Sequence, residues 1–200
     1  MQRFTIWFCL ILLLFIPIDS VFSQETEEDA ETAITYYSLG QQSLALSAGL
    51  FIPLFFQSFG GDVQATHLSL GGVGSLQWGA HLDNHWLLGL EVGGIFCQSL
   101  TGNVLLMLPI TVKASYLLYI YPFEIPLSLG AGVSISKYES QAQLDFMMKP
   151  GFSVIWKYNA EWGFGLNVAY WWILQPWVQD TSKSIMGNFL ETTMTAKYSF

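Results

Sequence analysis

Apolar and polar residues alternate along most of this chain, from about Ser43 to the last residue. A membrane-spanning helix needs about 20 consecutive apolar residues, and only the stretch from Phe4 to Ile18 comes close to that length. Elsewhere a Gly, Ser, Thr, Asn, Gln or charged residue interrupts the apolar run every few positions. Because successive side chains of a β-strand point to opposite faces, this period of two predicts strands with one apolar and one polar face.

The alternation divides into eight predicted strands, over residues 43–52, 68–80, 86–96, 106–118, 125–135, 144–156, 162–172 and 188–200. Short connections at 81–85, 119–124 and 157–161 alternate with longer ones at 53–67, 98–103, 137–143 and 173–187. Consecutive strands with such connections favour an up-and-down antiparallel meander. The long first connection is apolar, and its residues could instead extend the neighbouring strands.

The residues on each face of the strands indicate which face points outward. Charged residues fall on the polar face of the strands, where Gly, Ala and Ser are also common, and only 11% of the chain is charged. A narrow lumen requires small polar residues inside, whereas a soluble sandwich would turn its charges outward. Strands can cross lipid only as a closed barrel, since an open edge leaves backbone groups unpaired. We therefore predict an all-β fold, an eight-stranded antiparallel transmembrane β-barrel.

Aromatic residues fall in two bands near the ends of the apolar faces. One band contains Trp86, Tyr116, Trp156, Trp162, Tyr198 and Phe200, and the other contains Phe51, Phe96, Phe146, Tyr170 and Trp172. Bands of this kind are typical of the interfacial girdles of membrane barrels. They favour outer-membrane lipid as the surroundings of the barrel.

The N-terminus has the features of a secretory signal peptide. Arg3 precedes the apolar core, Pro17 breaks it, and a cleavage site before Gln24 makes residues 1–23 the predicted signal, with a single membrane anchor as the alternative. Residues 24–42 are an acidic segment that we expect to be disordered, and residues 43–200 form the predicted barrel. Cleavage leaves Cys97 as the one cysteine, so no intramolecular disulfide is possible.

The charge balance argues against nucleic acid as a partner. The chain has a formal net charge of −8, and Arg3 is its only arginine. Binding to nucleic acid needs clustered cations that displace phosphate counterions, whereas the lysines here are scattered.

Charged residues on the polar faces are the candidate lumen groups: Glu91, Lys113, Asp145, Lys149, Glu191 and Lys197. If Gln98 lies opposite Val104 in an antiparallel hairpin, Glu91 is diagonal to Lys113, within reach of long side chains. We predict a lumenal ion pair between these two residues, because burying either charge alone is costly. The alternative is that both face water in a wider lumen.

Three motifs could carry chemistry, and each has a simpler interpretation. His81, Asp83 and His85 could ligate a metal, but Asp83 also suits a polar turn. His67 and Ser69 have the spacing of a nucleophile and its base, yet no acid is placed beside them. The glycines at 71, 72 and 74 are not followed by the Lys-Ser/Thr of a phosphate loop, and we interpret them as barrel curvature. We expect no catalytic site, no metal and no cofactor.

The mature chain resembles the small outer-membrane proteins of the OmpX, OmpA-barrel and OmpW type. The residues that carry the resemblance are at the end, where Met194, Ala196, Tyr198 and Phe200 alternate and Phe200 closes the chain. Tyr198 and Phe200 look like the C-terminal signal read by the bacterial barrel-assembly machinery. The resemblance implies an outer-membrane location with both termini periplasmic, and length together with the hydrophobic first loop favours the OmpW-like members.

Two functions remain open at this point. The OmpW resemblance implies a narrow channel or binding barrel for small hydrophobic molecules, with Phe51 and the loop aromatics Phe55, Phe56, Phe59 and Trp177, next to Trp171 and Trp172, as candidates at its mouth. The alternative is a closed barrel that displays surface loops as an adhesin or host-interaction protein. Eight strands leave an interior just wide enough for side chains or one small ligand, so an open diffusion porin is excluded.

Overall fold

A computed structural model describes residues 37–99, 102–138, 141–175 and 184–200. The strands are β1 (Gln42–Ser58), β2 (Val63–Ala65), β3 (Gly71–His81), β4 (Trp86–Gln98), β5 (Val104–Ile120), β6 (Phe123–Tyr138), β7 (Gln141–Lys157), β8 (Trp162–Gln175) and β9 (Ile185–Ser199). Among the described residues, no helix has the length and apolarity needed to cross a membrane. The predicted signal peptide, Trp177 and most of the acidic segment lie outside the described residues.

The strands β1 and β3–β9 form one closed antiparallel barrel. Each of these strands pairs with its neighbour in sequence, and β1 closes the barrel by pairing with β9 from Ser43–Ser199 to Ser58–Ile185. Closure satisfies the backbone groups that an open sheet would expose. The predicted eight-stranded meander is therefore confirmed, and β2 is a short addition that pairs only with β1.

The apolar faces point outward along the barrel wall. In β5, for example, Leu108, Ile110 and Val112 are exposed, whereas Thr111 and Lys113 between them are buried. The opposite burial would be expected of a soluble protein, whose apolar residues pack inside. An exterior of this kind is stable when lipid, not water, surrounds the strands.

An aromatic girdle surrounds the end of the barrel that carries the short connections 82–85, 121–122 and 158–161; we call it the turn end, and the opposite end the loop end. The girdle rings contact one another across strands: Trp86 packs on Tyr116 with centroids 5.3 Å apart, and Trp162 packs on Tyr198 at 4.9 Å. Both the start of β1 and the end of β9 lie at this end. At the loop end Phe96 and Phe146 are exposed as predicted, but Phe51 is fully buried in the lumen and does not belong to the girdle.

Strand boundaries at the loop end differ from the prediction. The first connection was predicted to begin at Pro53, but β1 continues to Ser58, so Phe55 and Phe56 are strand residues and only Phe59 lies in a turn. A bulge between Pro53 and Phe55 shifts the register of β1 against β9 at this point. The bulge shifts the inward-facing positions of β1 by one residue. The alternation of apolar and polar residues, on which the prediction depends, ends at this point.

Two glycines allow neighbouring strands to approach closely. A Cβ at Gly132 would overlap the carbonyl oxygen of Ile110, and one at Gly165 would overlap that of Val154. Both glycines lie in strand interiors, where glycine marks close backbone packing or a bend. They let β5–β6 and β7–β8 coil tightly enough for a barrel of this small size.

Candidate ligand-binding cup and the lumen beneath it

A charged network of Glu91, Lys113, Lys149 and Glu191 occupies the middle of the lumen. The ammonium of Lys149 lies between two carboxylates, 2.5 Å from Glu91 Oε1 and 2.7 Å from Glu191 Oε2. Lys113 Nζ lies 3.3 Å from Glu91 Oε2, so the predicted Glu91–Lys113 ion pair is present. Two anions and two cations make the network electrically neutral, which is what permits its burial.

The prediction of this ion pair rested on the register of one hairpin. The structure pairs Gln98 with Val104 and Glu91 with Thr111, as assumed. Glu191, by contrast, comes from β9, which is not a neighbour of β4 or β7. Its contact with Lys149 crosses the lumen and depends on barrel closure.

Neutral side chains complete the hydrogen bonds of the charged network. Lys113 Nζ donates to Gln77 Oε1 at 3.1 Å, Asn167 Nδ2 donates to Glu191 Oε1 at 3.1 Å, and Trp171 Nε1 donates to Glu191 Oε2 at 2.9 Å. Such satisfaction of the remaining lone pairs is required for a buried ion cluster to persist. The result is a rigid polar layer across the lumen.

Below the network, Tyr37 closes the turn end in a cluster that we call the lower plug: Tyr37, His81, Glu124, Lys157 and Lys197. The Tyr37 hydroxyl donates to Glu124 Oε2 at 2.7 Å and accepts from Lys157 Nζ at 2.6 Å. Lys197 Nζ lies 2.5 Å from Glu124 Oε1. Burial and the nearby Glu124 carboxylate raise the pKa of Tyr37, so its phenol stays protonated and able to donate.

The lower plug corrects one predicted boundary. Residues 37–42 were assigned to the acidic, disordered segment, yet Tyr37 is fully buried. Its ring stacks on His81 with centroids 3.8 Å apart, and Gly40 N–H donates to the His81 carbonyl at 2.8 Å. The folded unit therefore includes the described residues that immediately precede β1.

The turn after β3 has a structural explanation. Asp83 Oδ1 accepts the backbone N–H groups of His85 at 2.7 Å and Trp86 at 2.6 Å, and these bonds lower the pKa of the Asp83 carboxyl. The His81 ring lies against Tyr37, whereas the His85 ring lies against Tyr116. The two imidazoles thus have separate partners, and Asp83 supplies the turn that the sequence suggested.

An apolar layer lies above the charged network, toward the loop end. It consists of buried side chains from every barrel strand except β6: Phe51, Val73, Ile95, Met107, Met147, Ala169, Trp171, Ile173 and Phe189. Phe51 stacks on Phe189 with centroids 4.9 Å apart and meets Trp171 edge-on at 5.4 Å. This dry layer separates the charges below from the space above.

A cup of about 480 Å³ opens above the apolar layer at the loop end; we call it the upper cup. Its lining residues are Phe56, Thr66, His67, Leu68, Ser99, Leu105, Met107, Ser136, Gln143, Ile173, Gln175, Gly187 and Phe189. A concave volume of several hundred Å³ that combines apolar walls with polar groups is typical of small-molecule sites, and six of the thirteen lining residues here are polar. The cavity between the charged network and the lower plug is far smaller, about 30 Å³, which is room for a water molecule or two.

The remaining predicted site residues lie in separate places. Asp145 is fully buried near the upper cup, and Lys197 is part of the lower plug. Phe56 lines the cup, whereas Phe59 is exposed beyond it. Tyr198 stacks on Phe200 with centroids 5.8 Å apart, in the outer girdle at the turn end.

His67 and Ser69 make separate contacts. The Ser69 hydroxyl donates to the Gln98 carbonyl at 2.7 Å, and His67 Nδ1 lies 3.0 Å from the Ala65 carbonyl oxygen. His67 adopts a positive φ of 51°, which turns the chain from β2 towards β3. These contacts with backbone carbonyl groups anchor the loop between β2 and β3.

Comparison with known proteins bears on family and fold. A protein-family model matches residues 23–198 of the chain. The chain belongs to that family. A protein of Borreliella burgdorferi is 24% identical over 155 residues, covering 66% of this chain and 73% of that protein. A protein of Treponema pallidum is 33% identical over 75 residues. The matched region covers 37% of this chain and 34% of that protein.

Solved structures show the same architecture. Neisserial surface protein A covers 80% of this chain and 97% of its own, with a TM-score of 0.60 and 11% identity. The outer membrane protein OprG from Pseudomonas aeruginosa covers 82% of this chain and 97% of its own, with a TM-score of 0.52 and 11% identity. The chain therefore has the fold of the small outer-membrane β-barrels, as the resemblance implied.

Glu124 and Tyr37 are lumen residues that are not among the predicted site residues. Glu124 was assigned to a turn, although it alternates with Pro126 and Ser128 on the inward face of β6, and that alternation was a usable signal. Tyr37 precedes the alternating region altogether. No pattern in the sequence marks it as a lumen residue, because its position depends on where the chain enters the closed barrel.

Proposed function

We propose that this protein is an outer-membrane barrel that binds a small, largely apolar molecule in the upper cup and does not pass solutes along the lumen. The proposal depends on one observation: the upper cup is open to the loop end, and side chains fill the lumen beneath it. Phe56, Leu105 and Phe189 give the cup apolar walls, while the apolar layer, the charged network and the lower plug fill the lumen beneath it. A ligand would enter and leave from the loop end.

The outward surface supports the membrane location. Leucine, valine and aromatic side chains cover the barrel exterior, and a band of this kind is stable in lipid. Two connections at the loop end, between β1 and β3 and between β8 and β9, are longer than any at the turn end, which follows the pattern in which the long loops are extracellular. In this orientation both termini are periplasmic and the cup opens to the outside. Recognition of Tyr198 and Phe200 by the barrel-assembly machinery remains a prediction of the sequence.

Methionine methyl groups provide a direct test of binding. Met107 lines the cup, whereas Met194 faces outward and is highly exposed. With the protein in phosphatidylcholine nanodiscs and methyl-labelled methionine, titration with 2-phenylethanol should shift the Met107 signal along a saturating curve. The Met194 signal should change only in proportion to the probe dissolved in lipid.

A matched pair of variants separates the cup from the lipid surface. Leu105 lines the cup, and its neighbour Leu106 faces outward. Leu105→Trp should place a larger ring in the cup and weaken probe binding there, whereas Leu106→Trp should leave the saturating shift intact. A Met107 signal that never saturates, or that saturates equally in both variants, would refute binding in the cup.

Display of the loop end is the second candidate function. It is favoured by the filled lumen and by the hairpin of β1 and β2, which carries the exposed apolar residues Phe59 and Val63. In that case the cup has no role in the function of the protein. Exchange of the connection 59–62 for a Gly-Ser turn should then remove adhesion to host surfaces and leave probe binding unchanged. Adhesion of this variant therefore tests display of the loop end, independently of the nanodisc titration, which tests binding in the cup.

A further inference from the structure

Asp145 differs from the other buried carboxylates of the described barrel. Glu91, Glu124 and Glu191 each have a lysine ammonium within 3.3 Å. Asp145 is equally buried, yet its hydrogen bonds come from neutral groups: Ser136 Oγ donates to Oδ2 at 2.7 Å and Gln175 Nε2 at 3.3 Å. Its other oxygen, Oδ1, is buried and has no hydrogen-bond partner among the residues that the structure describes. Burial of an anionic oxygen without a hydrogen-bond donor is energetically costly, and such groups are rare in native proteins.

A second orphaned oxygen lies beside it. Ser134 is directly opposite Asp145 in the β6–β7 pair, and its hydroxyl is also buried without a hydrogen-bond partner in the described part of the chain. Side chains opposite each other in an antiparallel pair are about 5 Å apart at Cβ. The wall thus presents two unused acceptors at one level, one of them on a carboxylate.

Asp145 lies next to the upper cup, and Ser134 lies opposite it on β6. Ser136 and Gln175, which donate to Asp145, are themselves lining residues of the cup, and Gln143 lines it beside them. The remaining lining is largely apolar, including Phe56, Leu105 and Phe189. The cup therefore combines an apolar body with a polar patch that carries a negative charge behind it.

We propose that the upper cup selects small amphiphiles with a primary amine, whose ammonium is held by Asp145 Oδ1 and Ser134 Oγ. A primary ammonium offers three donors and a positive charge, which matches two acceptors and an uncompensated carboxylate. The apolar part of the ligand lies against Phe56, Leu105 and Phe189. This inference rests on the proposed function, because it specifies the ligand of the same cup.

The test compares two probes that differ in one group. Phenethylamine and 2-phenylethanol have the same apolar part, and the amine is protonated at neutral pH. Titrations follow the Met107 methyl signal of the full-length protein in phosphatidylcholine nanodiscs, whose zwitterionic lipid does not concentrate the amine. The amine should bind about tenfold or more tightly than the alcohol, as expected for a charge-assisted hydrogen bond in a buried site.

Two substitutions of the same kind locate the preference. Asp145→Asn keeps the shape but removes the charge, and should reduce the preference for the amine to about twofold or less. Asp83→Asn changes a carboxylate in the exposed turn at the opposite end of the barrel, and should leave the preference unchanged.

The outcomes separate this inference from the proposed function. Equal affinity of the two probes in the unmodified protein would overturn amine selection while cup binding stands, and this comparison needs no variant to fold. A preference that survives Asp145→Asn would likewise overturn the role of Asp145. Absence of saturable binding by either probe would overturn both proposals.

Discussion

At the scale of single residues, Lys149 holds the charged network together. Its ammonium lies between the carboxylates of Glu91 and Glu191, and Glu191 has no other lysine partner among the described ion pairs. Lys149→Met keeps most of the side-chain volume but leaves Glu191 buried without a cation. We expect the free energy of unfolding to fall by about 3–5 kcal/mol, the usual cost of breaking a buried ion pair. Urea unfolding in lipid vesicles measures it.

The control for this substitution is Lys137→Met, because Lys137 is exposed near the end of β6. Its effect should stay within about 0.5 kcal/mol, as for surface changes in general. Equal losses in both variants would mean that loss of a lysine, not of the buried pair, causes the change. A partial recovery in the double variant Lys149→Met with Glu191→Gln would identify the unpaired carboxylate as the cause.

Tyr37 gives a second prediction at this scale. Its hydroxyl bridges Glu124 and Lys157, so Tyr37→Phe leaves a buried acceptor and a partly buried donor each short of a partner. The loss should be about 1–3 kcal/mol in the free energy of unfolding. Tyr121→Phe is the matched control, since Tyr121 is 75% exposed in the turn between β5 and β6. If the two variants unfold alike, the lower plug does not stabilise the barrel.

At the scale of the strand, the outward face of β5 tests whether lipid surrounds the wall. Val112 lies at the middle of β5 and is 56% exposed, and Ile120 lies on the same face at the turn end and is 62% exposed. A lysine at the bilayer midplane costs about 2–4 kcal/mol, falling to about 0–1 kcal/mol near the interface. Val112→Lys should therefore destabilise the barrel in vesicles far more than Ile120→Lys. Nearly equal values would mean that the exposed face contacts water.

Strand architecture could be predicted from the sequence where lipid constrains it. From β3 to β8 the outward face must be apolar over the membrane thickness, and the alternation of Leu108, Ile110 and Val112 reflects that requirement. Because a shift of one residue would reverse the faces, the same requirement excludes odd shifts of the β4–β5 register, and the assumed pairing of Gln98 with Val104 satisfies it. Beyond the lipid the constraint ends, and apolar residues occupy both faces. The prediction therefore ended β1 too early and placed Phe51 outside.

The contents of the lumen could be predicted only in part. The alternation identified which charges face inward, and the hairpin register identified the Glu91–Lys113 pair. Contacts that cross the barrel, such as Lys149 with Glu191, depend on closure and strand stagger, which a local pattern does not contain. The upper cup likewise arises where β1, β5, β8 and β9 extend together beyond the apolar layer.

At the scale of the whole molecule, the lumen is closed at three levels in series: the apolar layer, the charged network and the lower plug. Each level blocks passage alone, so the unmodified protein should give no discrete openings in a planar bilayer. Trp171→Ala, Lys149→Ala and Tyr37→Ala each remove one large side chain from one level, and each single variant should also remain silent because the other two levels are unchanged. The triple variant should conduct, provided that its mobility on unheated gels shows a folded barrel. Openings in the unmodified protein, or in any single variant, would show that ions pass around these side chains. The protein would then be a channel.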